Sequence, residues 1–141
     1  MPRKTVLAFG TFDLLHPGHI SYLKQAKRFG DQLIVIIARD INVRRFKHKH
    51  TVFDAEQRRA LVQELKMVDQ AVLGFKDDIY KSVVRFKPQI LAMGYDQQPS
   101  TTEVRRELAQ RGLFPRIVRC KPFKPHKHKS TKIKKRIRRR A

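Results

Sequence analysis

Leu33-Ile34-Val35-Ile36-Ile37 is an unbroken run of branched aliphatic residues. A run so short and so wholly apolar reads as a strand buried on both faces, the pattern of central strands in parallel sheets. Thr5 to Phe9 reads the same way. Between the two, Ile20, Leu23, Ala26 and Phe29 fall at helical spacing from His19 to Phe29, with Gly30 closing the stretch. Two such strands around one helix make a βαβ unit, which crosses over right-handed.

The alternation continues to the end of the core. Further strands are expected at Gln70 to Leu73, Gln89 to Met93 and Arg116 to Cys120. A helix capped by Asp54 should reach Leu65 with Leu61, Val62 and Leu65 inward. Another should span Asp78 to Phe86 with Ile79, Val83 and Phe86 inward, and Thr101 or Thr102 can cap one reaching Arg111. Arg39 to Val52, rich in Arg, Lys and His, reads as a basic loop. Five strands alternating with helices, and no hairpin signal, predict an α/β fold. It is a single doubly wound, Rossmann-like domain with a five-stranded parallel sheet, helices on both faces and a basic C-terminal helix. At 141 residues and 40% hydrophobic composition the chain suits one domain with a real core.

Charge divides that domain in two. Residues 1–120 hold 22 Lys and Arg against 12 acidic residues, and residues 121–141 hold 11 against none. We therefore expect a core at 1–120 and a basic segment at 121–141, in which Ser130 can cap a helix carrying Ile133 and Ile137, and Arg138 to Arg140 form a solvated run. The excess suits phosphorylated substrates, and the tail suits polyanion contact. No apolar stretch approaches the roughly 20 residues of a membrane span. Cys120 is the single cysteine, which excludes an internal disulfide and a cysteine metal site and fits a cytoplasmic setting.

Chemistry concentrates where the first strand breaks. Gly10 opens a polar turn, and at the carboxyl end of a strand such a loop faces a crevice while the next helix offers backbone N–H groups and its positive dipole end. His16 and His19, separated by Pro17 and Gly18, can reach one phosphate from the same wall. A lone HxGH match is weak evidence; its place at a strand-to-helix junction after Gly-Thr-Phe-Asp makes it strong. The basic stretch leaves the same sheet edge, and Lys47 is our choice there for a phosphate clamp. Each residue also has a bland role available: Asp13 can brace its loop, Arg58 can tie its helix to neighbouring carbonyls, and Asp96 can cap a turn.

Gly10-Thr11-Phe12-Asp13-Leu14-Leu15-His16-Pro17-Gly18-His19, with Ala38-Arg39-Asp40, Glu56-Gln57-Arg58-Arg59 and Met93-Gly94-Tyr95-Asp96, resembles the cytidylyltransferase-like nucleotidyltransferases over residues 5–137. That family includes archaeal-type FAD synthase and glycerol-3-phosphate cytidylyltransferase. The resemblance implies transfer of a nucleoside monophosphate from a nucleoside triphosphate to a phosphate monoester, with release of pyrophosphate. It implies His16, His19 and Lys47 as catalytic residues, and Gly10, Thr11, Phe12 and Asp13 around the triphosphate. Gly94, Asp96 and Gln97 would hold the base, and Ser130 and Thr131 the β- and γ-phosphates. Magnesium or another divalent cation would bridge the phosphates, with Asp13 as its protein contact.

Asp96-Gln97 looks like the FAD synthase form of its motif, so adenylyl transfer from ATP to FMN is the leading expectation. CTP with glycerol 3-phosphate or a similar alcohol phosphate is the alternative. The family's Arg-Thr-x-Gly-Ile-Ser-Thr-Thr signature survives here as Ser130-Thr131-Lys132-Ile133, which leaves Lys124 or Lys129 to stand in for its arginine. Short relatives commonly pair, which implies a homodimer. A nucleic-acid-associated protein on the same fold is the reading from another class. Against it, Phe123 is the one aromatic residue after Cys120, too few for a stacking platform.

Overall fold

The computed structural model describes residues 3–47 and 50–123, without the side chains of residues 46 and 47. Five strands, β1 (Thr5–Gly10), β2 (Gln32–Ile37), β3 (Gln70–Leu73), β4 (Ile90–Met93) and β5 (Arg116–Arg119), form one sheet in the order β3-β2-β1-β4-β5. Every pairing is parallel. The doubly wound fold expected from the alternation is the fold observed. Its interior splits by strand alternation. Val6, Ala8, Leu33, Val35 and Ile37 face one side with Leu23 and Ala26 of helix α1 (Pro17–Arg28) and Val62 of α3 (Ala55–Gln63). Leu7, Ile34, Ile36 and Leu91 face the other, with Val83 of α4 (Lys81–Phe86) and Val104 and Leu108 of α5 (Thr101–Gln110).

The chain builds β1, β2 and β3 outward in one direction, then crosses back to lay β4 against the free side of β1. The carboxyl ends of β1 and β4 therefore diverge into loops on opposite faces, a topological switch point. Pairing between them runs from Val6–Ile90 to Ala8–Ala92, while β1 itself continues to Gly10.

Several local expectations are corrected. The basic stretch after β2 contains a helix, α2 (Asp40–Lys47). Asn42 and Val43 are buried, and Asn42 Nδ2 donates to Phe75 O at 3.0 Å, so tertiary burial rewards helix where the exposed Arg44 and Arg45 conceal it. Helix α1 starts at Pro17, two residues before His19, because proline at the first helical position gives up no needed N–H. Phe29 caps its other end in a right-handed conformation. Gly30 is needed for space, since a Cβ there would stand 2.6 Å from Lys4 O. Ser100 caps α5, its Oγ accepting from Glu103 N at 3.2 Å. Leu61 and Ile79 are exposed, Ile79 because α4 begins only at Lys81.

Candidate active site

Helix α1 points its amino end into the switch-point crevice, and His16 is its N-cap. The ring does the work usually given to a Ser or Asp oxygen: Nδ1 of His16 accepts from Gly18 N at 3.1 Å, and Nδ1 of His19 accepts from His16 N at 3.4 Å. Gly18 is required beneath this arrangement, because a Cβ at that position would lie 2.8 Å from His16 Cε1. The two half-buried rings stack with centroids 3.8 Å apart. An Nδ1 that accepts a hydrogen bond leaves the proton of a neutral imidazole on Nε2, so both rings are set as Nε2–H donors.

The expectation of open backbone N–H groups at this helix mouth is corrected by the same geometry. Pro17 has none, Gly18 N is spent on His16, and His19 N and Ile20 N both reach His16 O, at 3.0 and 3.3 Å. The helix presents its positive end through imidazoles. Phe12, buried and held at φ 53°, supports them from below: its ring meets that of His19 edge-on at 5.3 Å and lies over Gly10, where a Cβ would approach to 2.4 Å.

The loop and its neighbours are fastened by buried polar groups. Asp13, 4% exposed, accepts from Val52 N and Phe53 N at 2.8 to 3.0 Å. This is the bracing role, and both carboxylate oxygens take part in it. Arg58, fully buried, donates to Thr11 O at 2.7 Å, Phe53 O at 3.1 Å and Asp40 Oδ1 at 2.7 Å. It ties the loop after β1 to α2 and α3. Partial burial pushes the Asp40 carboxyl upward, but the Arg58 hydrogen bond, the Ala55 N–H, the Arg58 charge and the Thr51 hydroxyl outweigh it and hold Asp40 below the ordinary carboxylate range.

Where β1 and β4 part, two side chains replace the ladder, one from α1 and one from the loop after β4. Tyr22 Oη accepts from Phe9 N at 3.2 Å and donates to Ala92 O at 2.7 Å. Burial pushes that hydroxyl far above its ordinary value, so it stays protonated. Gln97 Nε2 donates to Phe9 O at 2.6 Å and its Oε1 accepts from Gly94 N at 2.8 Å. The amide of Gln97 and the N–H of Gly94 are thus engaged within the protein, while Tyr95 and Asp96 beside them are exposed. Cys120, 3% exposed, lies behind Tyr22, and burial raises its thiol to about 11.

The structure therefore brings Gly10, Thr11, Phe12, Asp13, His16, His19, Gly94, Asp96 and Gln97 to one edge of the sheet. Lys47 is the last residue of α2, a helix that begins at that edge, and its side chain lies outside the described residues. Ser130, Thr131, Lys124 and Lys129 also lie outside them. Sequence reasoning missed Tyr22 and Arg119 as site-building residues; both carry polar tips in stretches otherwise read as helix face and strand. Among the described residues no three His, Cys, Asp or Glu side chains form a metal-holding group.

The chain matches the family described as cytidylyltransferase-like over residues 7–136. It is 48% identical over 134 residues to FAD synthase of Archaeoglobus profundus, covering 94% of this chain and 84% of that one. Its identity to FAD synthase of Aciduliprofundum boonei is 46% over 118 residues, 84% of this chain and 78% of the other. Among solved structures, a Thermoplasma volcanium protein described as a lipopolysaccharide core biosynthesis protein superposes with a TM-score of 0.84 at 42% identity, covering 86% of this chain and 99% of that one. Pantoate-beta-alanine ligase from Francisella tularensis, at 17% identity and a TM-score of 0.68 over 94% of this chain and 65% of its own, shares the fold.

Proposed function

Because this chain belongs to the cytidylyltransferase-like family and is a nucleotidyltransferase, we propose that it adenylylates FMN with ATP, releasing pyrophosphate and forming FAD. The observation that carries the reading is the pair of stacked imidazoles whose inner nitrogens are both occupied by backbone N–H groups. The relatives named FAD synthase, 46 and 48% identical, support the choice of nucleotide and acceptor.

A phosphate oxygen of FMN attacks the α-phosphorus of ATP while the bond from that phosphorus to the bridging oxygen of the pyrophosphate breaks. The acceptor is already an anion at neutral pH, so no residue need remove a proton from it. What remains is alignment, and stabilisation of charge on the α-phosphate and the leaving oxygens. His16 and His19 supply Nε2–H donors for that charge. Each donor sits at the end of a chain that starts at a backbone N–H of the helix terminus, and such a chain polarises its last member.

Lys47 acts on the acceptor or the α-phosphate. Ser130 and Thr131 hold the β- and γ-phosphates, and the exposed Tyr95-Asp96 turn flanks the base. A divalent cation, magnesium first, would arrive on the triphosphate rather than in a protein cage, with Asp13, which also braces its loop, as the protein contact. That ion supplies further neutralisation of the phosphate oxygens. The same reading takes the enzyme to be cytoplasmic and a homodimer.

Incubation with ATP, FMN and magnesium should yield FAD, and CTP with glycerol 3-phosphate should not react. His19→Ala should lower kcat by about 100-fold or more with folding intact. Parental turnover by that variant removes His19 from catalysis, and CTP-dependent turnover replaces the substrate assignment with the cytidylyltransferase one.

A further inference from the structure

We propose that Arg119 is a positioning residue for nucleotide recognition, holding the loop at residues 94–101 in the shape that receives the base. Resting on the functional reading above, the inference assigns a role to a residue at the far end of β5. Arg119 is exposed, and an exposed arginine on an edge strand ordinarily spends its charge on water. Here Nε donates to Thr101 Oγ1 at 3.0 Å, one terminal nitrogen donates to Gly94 O at 2.8 Å and Gln97 O at 2.7 Å, and the other donates to Pro99 O at 3.2 Å.

Those oxygens span the whole connection from the end of β4 to the first residue of α5. The loop's own backbone offers it a turn bond, Gln97 N to Gly94 O at 3.3 Å. Both peptide units that flank the Gly94 Cα are fixed, the N–H by Gln97 Oε1 and the carbonyl by Arg119. Carbonyls held by Arg119 are fixed in direction and already paired, so the guanidinium limits which backbone groups of the loop a base can meet. A planar fork can serve several acceptors at fixed angles, which a lysine ammonium cannot copy. The phosphates belong to the other wall, at α1. Loss of the clamp should therefore weaken binding of the nucleotide and blur its identity without slowing chemistry on bound substrate.

The test is steady-state kinetics and calorimetric ATP binding on the full-length chain with Arg119→Ala and Arg119→Lys. The expected result is a KM for ATP, and a Kd, raised about tenfold or more, with kcat within about threefold. The preference for ATP over CTP should narrow, the KM for FMN should hold, and lysine should give no rescue. Unchanged ATP affinity, or a loss confined to kcat, overturns the proposal. Should Arg119→Ala fail to fold, Thr101→Val removes one acceptor and should give a smaller rise selective for the nucleotide; no rise there overturns it equally. If the parental protein binds neither ATP nor CTP, the functional reading fails and this inference with it. If the parent binds ATP and the variants match it, the clamp alone is rejected.

Discussion

His16 and His19 owe their proposed use to the ring nitrogens that bond the backbone. Their spacing and their place after a strand were legible in the sequence. The capping of α1 by the rings was not, because an N-cap histidine leaves no separate signature beyond the Pro17 that follows it. Gly18 makes the point testable. A methyl group there would stand 2.8 Å from His16 Cε1 and 3.0 Å from Nδ1, so the ring must swing and release the Gly18 N–H. Gly18→Ala should therefore lower kcat by at least about tenfold, since displacements near 1 Å are costly in aligned reactions. Circular dichroism melting should show the fold retained. A variant with parental kcat would mean the inner hydrogen bond does not set the ring. Tyr22 was illegible for a similar reason, as was the bridging role of Gln97, a residue the sequence did bring to the site: their contacts with Phe9, Ala92 and Gly94 exist only after β1 and β4 lie side by side.

Strands were easier to read than helices. The central strands β1, β2 and β4 are short, largely buried apolar runs that leave a plain pattern, and the edge strands β3 and β5 keep a shorter apolar centre, whereas α2 is anchored by Asn42, Val43 and the carboxylate of Asp40 amid basic residues. Its tie to α3 carries a prediction. Arg58 is fully buried and Asp40 is its acidic partner, with a side chain 38% exposed. Removing one partner of a buried pair costs roughly 3–5 kcal/mol; solvent screening of the exposed partner reduces the expectation for Asp40→Asn to about 1–3 kcal/mol. The folded carboxyl titrates below its unfolded value, so its contribution is complete above about pH 4 and is lost as pH falls through the folded value. Denaturant unfolding of the parent should show that acid loss, and the variant should start lower and lose less. Equal slopes in the two proteins would remove Asp40 from the acid response.

At the scale of the molecule, chemistry and charge are sorted by place. The proposed contacts in the described residues lie on strand ends, loops and a first helical turn at one end of a parallel sheet, so the core can be read from periodicity while the site depends on how segments far apart in sequence converge. Among the described residues no helix is long and apolar enough to cross a membrane. About half of the excess of positive charge lies in residues 121–141, with 11 Lys and Arg and no acid. If that tail holds polyanions, removing residues 138–141 should weaken heparin retention at low salt and reduce the salt dependence of binding, while turnover of ATP and FMN persists. Unaltered retention would show that the arginine run is not the attachment point.

The grip of Arg119 on Gly94, Gln97, Pro99 and Thr101 spans 18 to 25 positions of sequence. A chimera that borrowed the segment after β4 from a relative of different base preference would import a part cut off from its fastening. Transplanted alone, it should lose its donor's selectivity; moved together with the residue at 119, it travels as a unit. Comparisons of specificity within this family are then best made on that split pair rather than on the contiguous stretch.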